Sequence, residues 1–143
     1  MTKQTDIVAL IGRIFIAVLF LMSGLSKLAA PAATQAYIAA MGLPAPTLAY
    51  FGATSVELIG SVLLVVGFRV RAFAGGMAVF TLLTAVLFHS NLADQNQMIH
   101  FFKNIAIMGG LLQVAAFGAG RFTVDRLFGR TDTPASIAPF AVE

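Results

Sequence analysis

Glu57 is the most deeply placed charged residue of four long apolar runs in this chain. It lies near the centre of residues 48–68, which hold no other charged residue. A carboxylate at the centre of a membrane-spanning helix costs about 2.5–3.5 kcal/mol on insertion scales. A proton-transfer or ligand-binding site would account for that cost. A structural ion pair or a hydrogen-bonded neutral carboxyl would account for it equally well.

Arg13 is the cation that we predict to pair with Glu57. It lies about 9 Å into the first apolar run at a rise of 1.5 Å per residue, whereas Glu57 lies about 15 Å from either face. The long arginine side chain spans this axial offset if the two helices face each other. Taken alone, Arg13 would more simply extend its guanidinium to the nearer headgroups.

A second group of polar residues lies near the opposite ends of the apolar runs. Antiparallel helices would bring these ends to one face of the membrane. There the side chains would either anchor the interface or line a shared pocket. A pocket with donors beside apolar walls would suit a quinone carbonyl or a small anion. The members of the group are Lys27, His89, His100, Lys103 and Asn104.

The two histidines also raise the alternatives of a haem or a metal ion. Axial haem ligands face each other across a macrocycle. His89 and His100 are instead joined by a short loop near one surface, so haem is disfavoured. A two-histidine metal site would lack a clear carboxylate ligand, because Asp94 lies in the polar loop. We therefore predict no metal site.

Composition indicates the environment of these residues. The 143 residues are 59% hydrophobic and 10% charged, with a mean hydropathy of +0.90. Soluble domains carry about 25% charged residues, so the chain is predicted to lie in a lipid bilayer. Its net charge of +3 then reflects membrane topology rather than a nucleic-acid partner. The chain has no cysteine and cannot itself perform thiol exchange.

The apolar runs predict an all-α fold, a polytopic antiparallel bundle of four transmembrane helices. Residues 7–27, 48–68, 72–89 and 99–117 each approach the ~20 residues that a spanning helix needs. The runs are continuous rather than alternating, which favours helices over barrel strands. We predict one membrane domain over residues 1–130. Residues 131–143 are expected to be a disordered tail.

The connections between the spans are short or rich in turn residues. Prolines within residues 29–47 predict a helix stop and restart. A short interfacial helix is expected there over residues 34–41. Lysine and arginine are concentrated on the N-terminal tail, the second loop and the C-terminal tail, so both termini are predicted to be cytoplasmic. The first span also resembles a signal peptide, but Lys27 before the small-residue stretch argues against cleavage.

These residues, taken in order, resemble the DoxX family of small four-helix membrane proteins. The resemblance covers residues 10–126, and departs from the family pattern at Thr123-Val124, where Ser-Leu is expected. It rests on Arg13, Ser23-Gly24 with Lys27, Glu57 with Gly60, Gly67 before Arg69, His89, Phe101-Phe102-Lys103-Asn104, and the stretch at residues 118–125.

The resemblance implies a multi-pass protein of the bacterial inner membrane. Some family members are similar to a subunit of a thiosulfate:quinone oxidoreductase, and others are linked to membrane complexes that handle redox stress. The resemblance marks a set of residues in this chain as candidates for a polar site and implies no catalytic role for them. They are Arg13, Lys27, Glu57, His89, Lys103, Asn104 and Asp125.

Three functions remain open at this point. The first is a redox-associated membrane subunit, with quinone as the candidate cofactor and with redox partner proteins. The second is a non-catalytic anchor or assembly partner, which would explain why no nucleophile or cofactor motif is evident. The third is a small-solute or proton transport unit, for which no inverted repeat is evident. Small residues in every span favour a tight bundle or a homo-oligomer.

Overall fold

The computed structural model describes residues 3–128, and these residues form helices and no strands. Four of the helices, α1, α3, α4 and α5, are long and apolar enough to cross a membrane. The predicted all-α fold with four spans is therefore confirmed. The predicted tail at residues 131–143 lies outside the described residues. The helices are α1 Lys3–Ala29, α2 Pro31–Ala40, α3 Pro46–Val66, α4 Val70–Phe88, α5 Gln95–Phe117 and α6 Val124–Leu127.

Local sequence explains most of the helix boundaries. α2 and α3 each begin with a proline, Pro31 and Pro46, because proline lacks the N–H that the first turn leaves unpaired. α3 ends at Val66 and is followed by the capping residue Gly67, whose φ of 81° is a left-handed conformation that glycine adopts without strain. Asp94 caps α5 by accepting a hydrogen bond from the Gln97 N–H at 2.9 Å, as short polar residues commonly do.

The spans pack chiefly as two pairs, α1 with α3 and α4 with α5. α3 and α4 also touch at a close approach, because a Cβ on Gly60 would lie 2.6 Å from the Met77 sulfur. α1 approaches α3 through Gly24, where a Cβ would lie 2.7 Å from a Leu58 methyl carbon. Helices in lipid gain packing through such small residues. The core between the pairs includes Ala17, Phe20, Leu64, Ala74, Met77, Ala78 and Leu111.

The two ends of the bundle differ in their charged residues. We call the end where α4 finishes and α5 begins the histidine end, because His89 and His100 lie there. The opposite end, where α3 finishes and α4 begins, holds Arg69 and Arg71 and is called the arginine end. Residues 118–128, the C-terminal strap, follow α5 at the arginine end.

Buried side chains fasten the C-terminal strap to the bundle. The Arg13 guanidinium donates hydrogen bonds to the carbonyls of Leu64 and Phe122, at 2.9 Å and 2.8 Å. Asp6 accepts a hydrogen bond from the Arg121 N–H at 3.0 Å. Asp125 accepts one from the Arg69 N–H at 2.5 Å. The Leu64 contact joins α1 to α3, and the other three hold the strap across the arginine end.

Candidate functional site

Glu57 forms a compact ion pair with Lys27 inside the bundle. The Lys27 Nζ lies 2.8 Å from one carboxylate oxygen of Glu57 and 2.9 Å from the other. The Ser23 hydroxyl donates to the same carboxylate at 3.1 Å and accepts from Lys27 at 2.8 Å. The Glu57 side chain is only 7% exposed. Pairing and hydrogen bonding together offset the cost of placing this carboxylate in a low-dielectric interior.

The predicted bridge between Arg13 and Glu57 is wrong, and the packing register of α1 on α3 explains why. Arg13 lies beside Leu64, whose carbonyl it binds. Leu64 is seven residues beyond Glu57 on the same helix, which is about 10 Å along the axis. Ser23 and Lys27 are spaced i, i+4 on α1, so they share a helix face and reach Glu57 together.

A cavity of about 600 Å³ lies next to this ion pair, in the half of the bundle nearer the histidine end. Its walls are mainly apolar and come from all four spans and α2. The apolar lining residues include Leu19, Phe20, Ile38, Leu43, Phe80, Leu83, Leu87, Phe88 and Ile107. The polar lining residues include Ser23, Lys27, Thr34, Tyr37, Glu57, Thr81, Thr84, His89, Lys103 and Asn104. We call this space the polar cavity.

A second set of polar side chains borders the polar cavity at the start of α5. The Lys103 Nζ lies 2.8 Å from the His100 Nδ1, and the ammonium is the donor because it carries no lone pair. The rings of His89 and His100 stack with centroids 5.1 Å apart, and His89 Nδ1 lies 2.8 Å from the Gln97 amide oxygen. The structure thus places His89, His100 and Lys103 in one polar cluster.

Asn104 differs from these neighbours because its side chain makes no hydrogen bond with any residue from 3 to 128. It lines the polar cavity and is half-buried. An amide has two donor hydrogens and an acceptor oxygen. Lys103 is paired only with a neutral ring nitrogen among the described residues, so its charge is not compensated there. These two side chains can therefore bind a further acceptor.

Helix α2 covers the polar cavity at the histidine end. The Tyr37 ring stacks on the Phe88 ring at a centroid distance of 5.7 Å, and Ile38 is buried beneath α2. The Thr47 hydroxyl donates to the Gln35 side-chain oxygen at 2.7 Å, which ties α2 to the start of α3. The short helix predicted at residues 34–41 is present over Pro31–Ala40, and it forms part of the cavity wall.

The polar-site candidates are divided between the two ends of the bundle. Lys27, Glu57, His89, Lys103 and Asn104 line the polar cavity. Arg13 and Asp125 lie at the arginine end, where they bind backbone atoms. Neither residue lines the polar cavity.

Asp6 is a buried carboxylate that was not among the polar-site candidates predicted from the sequence. It has no exposed surface, and one of its oxygens has no partner among residues 3–128. Its partner, the Arg121 N–H, comes from the C-terminal strap, which is far away in the sequence. The available signal was an acid at the start of an apolar helix, where the helix dipole favours negative charge.

The arrangement is suited to binding rather than to covalent chemistry. The Ser23 hydroxyl lies beside a carboxylate and an ammonium, and most of the wall is apolar. Within residues 3–128 there is no group of three or more His, Asp or Glu side chains that could hold a metal ion. Apolar walls with a few convergent polar groups are typical of small-molecule sites.

Comparison with known proteins agrees with this architecture. The DoxX family model matches residues 8–90. The chain is 39% identical over 130 residues to the inner membrane protein YqjF of Escherichia coli, covering 91% of this chain and 98% of that protein. It is 34% identical over 125 residues to the inner membrane protein YphA of Escherichia coli, covering 84% and 89%. No solved structure matches the chain at a significant level.

The matched region begins before Arg13 and ends after His89, so it includes most of α1, the Glu57 ion pair and most of the polar cavity wall. The two relatives extend the similarity to 91% and 84% of the chain. The sequence resemblance is therefore confirmed, and the chain belongs to the DoxX family.

Proposed function

We propose that this DoxX protein is a redox-associated, multi-pass subunit of the inner membrane that binds the headgroup of a quinone in the polar cavity. The inner-membrane location is supported by the four spans and by the names of the two relatives. The observation that carries the binding proposal is the cavity of about 600 Å³, with apolar walls and polar groups collected beside them. A quinone matches this pattern because its carbonyl oxygens accept hydrogen bonds while its ring and tail are apolar.

The donors for the quinone carbonyls would be Asn104 and Lys103. Asn104 lines the cavity with an amide that binds no residue in the described part of the chain. The Lys103 ammonium has only a neutral ring nitrogen beside it there. A carbonyl ligand would satisfy both groups and replace their contact with water, which is how a small number of polar residues orients a ligand in an apolar pocket.

A lipid-soluble ligand also needs a route into the cavity. Leu19, Leu83 and Leu87 line the cavity, and they are 42%, 54% and 46% exposed. A wall of exposed leucines on two membrane-spanning helices would let the cavity open towards the acyl chains. A quinone could enter sideways from the bilayer without crossing the polar interface.

Glu57 would contribute a protonatable group at the cavity wall. Reduction of a quinone to a quinol takes up two electrons and two protons. The Glu57 carboxylate lies in the lining and is held by Lys27 and Ser23, so it could take up one proton from water and pass it to the bound headgroup. The second proton would come directly from water. The electrons would come from a redox partner protein, because the chain has no cysteine to carry them through thiol chemistry.

The test is calorimetric titration of the detergent-purified protein with a short-chain ubiquinone analogue. Replacing Asn104 with alanine removes one hydrogen bond and should weaken binding about fivefold. Lys103→Ala should weaken it by at least as much. Gln113→Ala is the matched control, because Gln113 is an exposed amide on the same helix outside the cavity, and its affinity should equal that of the wild type.

Failure of the wild-type protein to bind the analogue would overturn the proposal. Equal losses in Asn104→Ala and Gln113→Ala would also overturn it, because the effect would then not depend on the cavity. Circular dichroism of each variant separates a lost contact from a lost fold.

We propose further that the arginine end is cytoplasmic, so that the polar cavity lies in the outer half of the bilayer. The concentration of basic residues at the arginine end supports this orientation. The cysteine-free sequence allows a clean test with Asn91→Cys and Arg126→Cys, two exposed positions at opposite ends. A membrane-impermeant maleimide should label Asn91→Cys in intact cells and Arg126→Cys only after permeabilisation. The reverse pattern would invert the orientation.

A second function, a membrane anchor for other proteins, is favoured by the exposure of α5. In the most apolar part of α5 only 6% of the residues are buried, whereas the corresponding share in the other three spans is 22–33%. A partner helix could cover this surface. If the protein acts only as an anchor, Glu57→Gln should rescue a deletion strain fully at equal expression. Loss of rescue would instead favour the redox function of the polar cavity.

A further inference from the structure

We propose that a groove between α3 and α4 at the arginine end binds one acyl chain of an anionic phospholipid, with the lipid phosphate paired to Arg69. The groove has a volume of about 590 Å³. Its walls include Val56 and Ile59 of α3 and Phe73 and Met77 of α4. It lies nearer the arginine end than the polar cavity, and the two share none of their lining residues.

The shape of the groove follows from glycine. Gly76 lies in the lining, and a Cβ built on it would meet nothing within 4 Å. A side chain at this position would therefore project into open space between the helices. α3 and α4 also pack less extensively than the α1–α3 and α4–α5 pairs. The result is an apolar furrow rather than a closed helix interface.

The length of the groove matches one leaflet of a bilayer. Its lining runs from Arg69, in the turn between the helices, to Ser55 of α3. The twelve residues from Ser55 to the end of α3 at Val66 span about 16 Å of helix. Half of a hydrocarbon core of about 30 Å is about 15 Å. One acyl chain can therefore lie along the groove while its headgroup remains at the level of Arg69.

The charge at the mouth of the groove selects an anion. The Arg69 side chain is exposed, and it forms no hydrogen bond or ion pair with any residue from 3 to 128. Asp125 binds the backbone N–H of Arg69 rather than its guanidinium. By contrast, the neighbouring Arg71 donates to the carbonyl of Ala115 at 3.0 Å. Arginine binds phosphate oxygens with paired N–H donors, and basic pockets between spans commonly hold anionic headgroups.

Arg69 also has an unfavourable backbone conformation. Its φ of 41° is left-handed, a conformation that L-residues other than glycine and asparagine adopt at a cost. The hydrogen bond from its N–H to Asp125 holds that conformation at the start of α4. A glutamine substitution keeps the same backbone cost and removes only the charge, so Arg69→Gln is the appropriate variant.

The experiment is native mass spectrometry of the full chain released from detergent with added lipid. The probes are phosphatidylglycerol and phosphatidylcholine with identical acyl chains. The wild type should retain phosphatidylglycerol preferentially. Arg69→Gln should bind phosphatidylglycerol about fivefold more weakly, the effect of one basic residue near a lipid phosphate. Arg126→Gln, an exposed arginine at the same end that does not line the groove, should match the wild type.

A second pair of variants tests whether the acyl chain lies in the groove. Gly76→Leu should fill the groove and reduce the binding of both lipids. Gly75→Leu is the matched control, because a Cβ there also meets nothing within 4 Å and the residue is absent from the groove lining. Its lipid binding should be unchanged. The headgroup fragment glycerol 3-phosphate, which has no acyl chains, should not bind measurably.

Three results would overturn the proposal. The first is equal retention of phosphatidylglycerol and phosphatidylcholine by the wild type. The second is the same lipid affinity in Gly76→Leu and Gly75→Leu, which would show that the groove is not the binding surface. The third is a wild-type dimer that Gly76→Leu converts to a monomer, because a second copy of the chain would then occupy the groove.

Discussion

The two ends of the bundle use their charged residues in different ways. At the arginine end, the side chains of Arg13, Asp6 and Asp125 are bound to backbone carbonyl or N–H groups. At the histidine end, charged and polar side chains are bound mainly to one another. Lys27 binds Glu57 there, and Lys103 binds His100.

This difference separates a structural closure from a candidate site. A charge that is bound to the backbone loses its partner only when the local fold opens. A charge that is bound to another side chain beside a cavity can exchange that partner for a ligand after a change of rotamer. The proposed quinone site therefore belongs to the histidine end, and the arginine end is expected to contribute mainly to stability.

The largest expected effect is the loss of stability in Arg13→Ala. The change leaves the Leu64 and Phe122 carbonyls without their donor and removes one of the contacts that hold the C-terminal strap. Hydrogen bonds from charged groups contribute about 1.5–3 kcal/mol each, so we expect about 3 kcal/mol of destabilisation. Reversible unfolding in detergent measures this loss. Arg126→Ala, at an exposed position, should change stability by less than about 0.5 kcal/mol.

In contrast to its stability, the quinone affinity of Arg13→Ala should not change. The fraction of Arg13→Ala that folds should bind the analogue like the wild type, because Arg13 does not line the polar cavity. A lower affinity with an intact fold would contradict the separation of the two ends.

The next effect concerns the ion pair at the histidine end. Lys27→Gln leaves the buried Glu57 carboxylate without its partner and should cost about 2 kcal/mol. Glu57→Gln leaves the partly exposed Lys27 ammonium without its partner and should cost less. The double variant should cost clearly less than the sum, because both charges are then removed together. A double-mutant cycle on unfolding free energies gives the coupling directly. Additive losses would mean that the contact between Lys27 and Glu57 does not contribute to stability.

The smallest effect concerns the α2 cover of the polar cavity. Tyr37→Ala removes the ring stack on Phe88, and aromatic pairs contribute about 0.5–1.5 kcal/mol. We expect faster release of the quinone analogue with little change in global stability. Stopped-flow dissociation measures the release rate. Tyr37→Phe keeps the ring and should behave like the wild type, so equal rates in both variants would argue against α2 as a cover.

The positions of the four spans were predictable because the length and hydropathy of an apolar run depend only on local composition. The predicted run at residues 48–68 corresponds to α3, Pro46–Val66, and the run at 99–117 corresponds to α5, Gln95–Phe117. Boundaries shifted by a few residues, because caps such as Asp94 extend a helix into polar sequence. The short helix α6 was not predicted, since residues 124–127 carry no long apolar pattern.

The partners of the charged residues were harder to predict. Glu57 was correctly recognised as a residue that needs a partner, but Arg13 was predicted to be that partner, and Lys27 was assigned to the polar group at the opposite ends of the runs. The choice between them depends on how far α1 slides along α3, which a hydropathy pattern does not encode. Gly24 sets that register by permitting close contact with Leu58.

The sequence by itself determined that the chain is a helical membrane protein, because 59% hydrophobic residues in four long runs leave too few polar groups for a soluble surface. It also determined that Glu57 must be compensated, since charge burial is costly wherever the helix lies. Only the tertiary structure decided which cation compensates it and which polar residues share a cavity. These outcomes depend on helix rotation and register, which arise from packing between residues that are distant in the chain.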